Sequence, residues 1–350
     1  MQREGVIRAV MGHFRSVDHL HMIDVEWFNP SCRSTRTVAR FLSSVTSLTL
    51  NDVGFYSGPR GLIWMLDHMP RLDVLLMFGI RWPEQRGMPN NPPALLVLAL
   101  NAYPYFPLLF VPLSKGLMWW LKVKERFRPP TSNHRLHKPL RKLAVNILED
   151  KMDGLCFHWL LAQADSLASI TTLMVSVGNS QEQTLRLQSL LDAIESLCHL
   201  TIHDRHDDSE DLAAMPSPTL TEHRALESLQ IRIHLTYLKE PQLEVWVRRL
   251  KNILQTADSS CLTVIRLTIE TYMDDFISIL AHMAHNLDDY LSRLPHLRQL
   301  RIHVYLPAGW GYSENIEGPE GLVRVAFERC EAKGTLRVKA TRGVMAEGDD

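Results

Sequence analysis

Between Phe41 and Trp82 the chain twice repeats the spacing apolar-x-x-apolar-x-apolar, at Val45, Leu48, Leu50 and again at Leu72, Leu75, Met77. The alternating end of each triplet predicts a half-buried strand, whereas Leu62, Ile63, Leu66 and Met69 between the triplets recur at helical spacing. The predicted unit is therefore strand, loop, helix and strand again. The spacing occurs ten times along the chain, starting at Val17, Val45, Leu72, Leu95, Leu140, Ile170, Leu197, Leu226, Leu262 and Leu297, with intervals of 28, 27, 23, 45, 30, 27, 29, 36 and 35 residues. One apolar triplet is easily met by chance, but near-regular recurrence from end to end is not.

Helical stripes fall inside the intervals, where such units need them. Leu187, Leu190, Leu191, Ile194 and Leu197 form one; Leu243, Trp246, Val247, Leu250, Ile253 and Leu254 a second; Phe276, Ile279, Leu280, Met283, Leu287 and Leu294 a third. The third is expected to open on Asp274 or Asp275 as a cap and to close at Pro295, as Pro70 closes the helix before Leu72. A short strand with one helix cannot bury enough apolar surface to offset the entropy of ordering it, so such units must stack on their neighbours. The expected fold is an α/β leucine-rich-repeat-like solenoid, a horseshoe with a parallel sheet on the concave face and helices on the convex face. It would run over 1–340, with a cap helix at 1–16, a final helix from Gly321 to Leu336 followed by a strand at Arg337-Val338, and a disordered acidic tail at 341–350.

Composition narrows the setting without changing this picture. Over 350 residues, 45% hydrophobic and 22% charged is ordinary for a folded chain, and a formal charge of -1 gives no global pull toward nucleic acid or anionic membrane. Five scattered cysteines without a C-x-x-C pair read as reduced thiols. The first residues carry charges inside their apolar run, unlike a secretory signal, so a cytoplasmic or nuclear location is expected. The interval from Pro83 to Lys142 admits two readings. Ala94 to Leu113 has no charge and is followed by Lys115, Lys122, Lys124, Arg126 and Arg128, so an alternative protein would insert in a membrane through 94–121. Pro104, Pro107, Pro112 and Asn101 would interrupt that span, which favours a repeat strand at Leu95, Leu98 and Leu100, a helix over 113–121 and a flexible basic loop at 128–138.

The segments VTSLTLNDVGF, MPRLDVLLMFGIRW, RALESLQIRI, LPHLRQLRIHV and CEAKGTLRV resemble the repeats of the fungal F-box-associated leucine-rich-repeat-like proteins. In that group an N-terminal F-box docks on a cullin-type ubiquitin ligase while the repeats select the substrate. The resemblance implies a substrate-recognition scaffold and a ligase adaptor role. It covers about Val17 to Val338, and departs from the group in having no recognisable F-box ahead of the first strand. It also departs from leucine-rich repeats at large: eight residues after each start, where an asparagine often ties neighbouring loops, stand Val25, Val53, Ile80, Tyr103, Leu148, Gly178, Arg205, His234, Glu270 and Tyr305. Looser loops on the strand-exit side are the expectation.

No nucleophile-elbow, zinc-protease, P-loop or dinucleotide fingerprint occurs, so a non-enzymatic protein without cofactor is expected. Cys198, His199, His203, His206, Asp207 and Asp208 match no standard zinc spacing, and no metal site is expected there. The third, fifth and seventh positions of each repeat point away from the core. Across the ten repeats these outward positions hold no Asp or Glu, although acids make up 39 of 350 residues. In the C-terminal repeats they bring together His199, His203, Gln230, Arg232, Arg266, Gln299, Arg301 and His303, the candidate partner-binding residues. Because arginine forks suit carboxylates and phosphates, the expected partner is a protein with an acidic or phosphorylated segment, rather than nucleic acid or membrane.

Overall fold

The computed structural model describes residues 16–27, 35–55, 57–81, 139–146, 157, 160–178, 180–205, 217–235, 240–257, 260–271, 273–306 and 318–342. The strand expected at Leu95, the candidate membrane segment 94–121 and the basic loop 128–138 lie outside them, as does the cap helix apart from Ser16. The chain divides into two compact units, Met1–Asp73 with Met77–Lys138 and Met152–Gln163, and Val74–Leu76 with Pro139–Lys151 and Ala164–Asp350.

The described strands begin where the spacing puts them. β1 (His19–Ile23), β3 (Ser47–Asn51), β5 (Val74–Phe78), β6 (Lys142–Asn146), β7 (Thr172–Val177), β8 (His199–Arg205), β9 (Ser228–Leu235), β10 (Val264–Thr271) and β11 (Gln299–Leu306) each start two residues after a pattern start. β12 (Leu336–Arg342) follows, and the ten form one parallel sheet in chain order; β2 (Glu26–Trp27) and β4 (Gly54–Phe55) make a second, two-stranded one. Residues in equivalent repeat positions are paired, for example Leu200 with Leu229 and Leu229 with Ile265. This shared register keeps every inward apolar residue on one face. Leu48, Leu50, Leu75, Leu229, Ile231, Leu300 and Ile302 are accordingly buried.

The strands are also tied before they begin. The second-position carbonyl of one repeat accepts the N–H groups of the next repeat's second and third positions: Glu227 O accepts from Thr263 and Val264 at 2.9 and 3.1 Å, and Thr263 O from Arg298 and Gln299 at 2.9 and 3.1 Å. Thr46, Thr171 and Thr263 add hydroxyl bonds to the same carbonyls. On the exit side of the first repeats, the expected looseness is not found. Val53 and Ile80, at the positions where asparagine is common, are buried instead, and a second line of backbone bonds runs Gly54 N to Val25 O, Phe55 N to Arg81 O and Arg81 N to Val53 O, at 2.8–2.9 Å.

The helices fall in the intervals: α1 (Thr35–Leu42), α2 (Pro59–Asp67), α3 (Ala164–Leu167), α4 (Gln181–Asp192), α5 (Glu240–Thr256), α6 (Met273–Met283), α7 (Asp289–Arg293), α8 (Pro319–Ala326) and α9 (Glu328–Ala332). Ser180 caps α4 through a reciprocal box with Gln183. The third stripe differs from expectation at its start and middle. Asp274 and Asp275 lie inside α6 rather than capping it, and a π-helical stretch, Ala284–Asp288, separates α6 from α7. The extra residue turns Asp288 inward, where it is 8% exposed and its carboxylate accepts the N–H groups of Arg329 and Cys330, both at 3.1 Å, at the start of α9. Burial, with Asp288 adding to it, pushes the Cys330 thiol up to about 12. The helix expected from Gly321 to Leu336 is broken at buried Phe327, and Leu336 belongs to β12. That strand runs two residues into the segment expected as tail; 343–350 lie outside the described residues.

Candidate functional site

Because the strands pair in strict register, the outward residues of the C-terminal repeats form rows across the sheet. The third-position row reads His199, Ser228, Val264, Gln299. The fifth reads Thr201, Gln230, Arg266, Arg301, Arg337, and the seventh His203, Arg232, Thr268, His303, Lys339. All eight residues predicted from the sequence thus share one face of four adjacent strands.

They differ in accessibility. Gln230 and Arg232 are 7% and 6% exposed although they point away from the apolar core, and Thr268 beside them is 7% exposed. His203, Arg266, Gln299 and His303 are half-buried, whereas His199 and Arg301 are exposed. Exposure on this face therefore rises from β9 and β10 toward Arg301 on β11. A second difference from expectation is that β9, β10 and β11 run for eight residues, and β10 and β11 add Glu270 and Tyr305, paired in register at the ninth position, to the same face. Buried Glu270 stands at that position, so the absence of acids holds for the third, fifth and seventh rows only.

Sequence reasoning passed over Arg337 and Lys339, both exposed on β12. Register aligns them with Arg301 and His303. The repeat start equivalent to Leu297 is Lys333, not an apolar residue, so the spacing search cannot find this strand. Lys333 replaces the missing packing with hydrogen bonds, its Nζ donating to Ser292 O at 2.9 Å and Leu294 O at 2.7 Å.

Two guanidinium groups are oriented by short bonds. Arg301 Nη2 donates to Gln299 Oε1 at 2.7 Å, and Arg337 Nη1 to its neighbour's carbonyl, Leu336 O, at 2.9 Å. His303 hydrogen-bonds Thr341 Oγ1 through Nε2 at 2.9 Å and stacks on Tyr305 with ring centroids 4.2 Å apart. Arg266 Nε is buried without a hydrogen-bond partner among the described residues. Beside His199, burial raises the pKa of the Cys198 thiol and the nearby Glu227 raises it further, which keeps the sulfur protonated and a poor nucleophile or metal ligand. His206, Asp207 and Asp208 lie outside the described residues, among which no group of three His, Cys, Asp or Glu side chains is placed to hold a metal ion. Among those residues, too, no helix is long and apolar enough to cross a membrane. No protein-family model matches the chain, and no curated protein matches it in sequence.

Proposed function

We propose that this chain is a non-enzymatic binding protein, a leucine-rich-repeat-like solenoid that holds an acidic segment of a protein partner on the outward face of β8 to β12. The observation that carries this reading is the alignment of Arg266, Arg301 and Arg337 at one height on three neighbouring strands. Like charges opposite one another across a sheet are destabilising, and an acidic partner reverses that repulsion. By its resemblance to the F-box-associated repeat proteins, presenting the partner to a ubiquitin ligase is the corresponding cellular role.

The test places a photo-crosslinking amino acid either at Gln299, on this face, or at Leu185, a 53% exposed residue of α4. Partner adducts are expected from position 299, and Arg301→Glu should deplete them. Adducts from position 185 alone would place the partner on the helices and overturn the reading.

A further inference from the structure

The fifth-position row asks for a ligand more specific than a generally acidic chain. Arg266, Arg301 and Arg337 stand on strands about 4.8 Å apart, so three permanently charged forks lie within about 10 Å of one another. The sheet positions around Arg301 are Gln299, His303, Val264, Thr268, Thr335 and Lys339, none of them a carboxylate. Among the described residues, no ion pair involves Arg266, Arg301 or Arg337, so this local charge has no ion-pair partner there.

The row is also graded in depth. Arg266 is half-buried beside Gln230, Arg232 and Thr268, which are buried, and its Nε is inaccessible and has no hydrogen-bond acceptor among the described residues. Arg301 and Arg337 stand higher, and the bonds to Gln299 Oε1 and Leu336 O fix one nitrogen of each while leaving other N–H groups available. Carboxylates offer two oxygens and one charge. A phosphate monoester offers three oxygens and a charge of about -1.5 to -2 on a stalk able to reach a half-buried guanidinium. Bidentate arginine contacts are matched to such a group.

We infer that the Arg266–Arg301–Arg337 row recognises a phosphorylated residue in an extended protein segment, with Lys339 of the seventh row beside the phosphate. The inference rests on the reading of this face as the partner site and names the chemistry of that partner. A flat bilayer surface would meet the exposed Arg301, Arg337 and Lys339 more fully than the half-buried Arg266. A nucleic acid strand would lack stacking platforms: on the outward positions of β9 to β12, no Trp or Phe occurs and Tyr305 is buried.

The probes are a fluorescent peptide pool with one central phosphoserine in degenerate sequence, the same pool with glutamate in its place, an oligonucleotide of matched length, and vesicles containing phosphoinositide. They are titrated against the full chain at two salt concentrations. The phosphoserine pool is expected to bind at least about tenfold more tightly than the glutamate pool. Arg301→Lys with Arg337→Lys, which keeps charge but removes the fork, should erase most of that preference, and Lys339→Ala should weaken binding less. Both arginines are exposed, so an unchanged melting temperature shows that these variants remain folded. Equal binding of the two pools, or of neither, would overturn the inference, as would tighter binding of the oligonucleotide or the vesicles. If partner adducts at position 299 persist after phosphatase treatment, the phosphate inference fails while the partner face stands. If adducts never form there, the underlying reading fails.

Discussion

The first and last described repeats obey the same apolar spacing but end their strands in different ways. β1, β3 and β5 stop after five residues, and the chain then turns through residues with left-handed backbone, Asp24 (φ 49°), Asp52 (φ 54°) and Gly79 (φ 60°). At the equivalent position β9, β10 and β11 carry Ile233, Ile269 and Val304, and the strand continues, while β7 ends on Val177. Aspartate and glycine tolerate the left-handed region, whereas β-branched residues favour extended backbone and resist it. Asp204 in β8 is the exception, continuing the strand while buried. One position therefore decides whether a repeat spends its next residues on a turn with a second hydrogen-bonded line, or on a longer strand with an additional outward row. The arginine row belongs to the second kind, whereas the absence of acids at the third, fifth and seventh positions is common to both.

The comparison is tested most strongly where the two regions should agree. Leu48 and Leu300 occupy the same inward position and are fully buried, so strand exit should not matter to either. Leu48→Ala and Leu300→Ala are each expected to cost about 2–5 kcal/mol in denaturant unfolding. A large loss at one with a negligible loss at the other would show that the shared spacing does not mean a shared core.

A smaller effect tests the exit itself. A Cβ at Gly79 would lie 3.4 Å from the Asp52 backbone nitrogen, which is tight, and the φ of +60° is unfavourable for any side chain. Gly79→Ala should cost roughly 1–2 kcal/mol. Ile269→Ala, at the equivalent place in β10, should cost a cavity instead, and should do so without hydrogen-exchange changes in the turn region. If Gly79→Ala were neutral, the left-handed turn would not be what ends β5.

The spacing made the strand starts and the inward core legible, because both depend on local periodicity that a linear search can see. The eight proposed site residues were brought to one face for the same reason. What escaped depends on single residues that break the pattern or on depth. A strand was expected at Arg337-Val338, but Lys333, which replaces an apolar contact with bonds to two carbonyls, kept it out of the repeat spacing, and so Arg337 and Lys339 out of the outward rows. The buried state of Gln230 and Arg232 is not written in alternation, which distinguishes the two faces but not a covered position from an open one. The π-helical stretch is not legible in the spacing, because buried Met283, Leu287 and Leu291 stand at four-residue steps that an ordinary α-helix also keeps within one apolar stripe.

The smallest expected effect separates the regions by the sign of their response to salt. In the first region Arg81 pairs with Asp24 at 3.0 Å, Asp52 at 2.8 Å and Glu26 at 3.4 Å, and donates to Asp52 O at 2.8 Å. Its side chain is 42% exposed, so each pair contributes no more than about 0–1 kcal/mol, and added salt should weaken it. In the last region the charges facing each other across the sheet, Arg266, Arg301 and Arg337, are alike, and salt screens a repulsion. Raising KCl from about 0.05 to 0.5 M shortens the Debye length from roughly 14 to 4 Å, below the strand spacing in the second case. Backbone exchange followed by peptide should therefore speed up slightly around Val53 and Arg81 and slow down in β10 to β12. Arg81→Ala should abolish the first change, and Arg301→Gln the second. Exchange rates that move in the same direction in both regions would mean that general salt effects on solvation outweigh these charge arrangements.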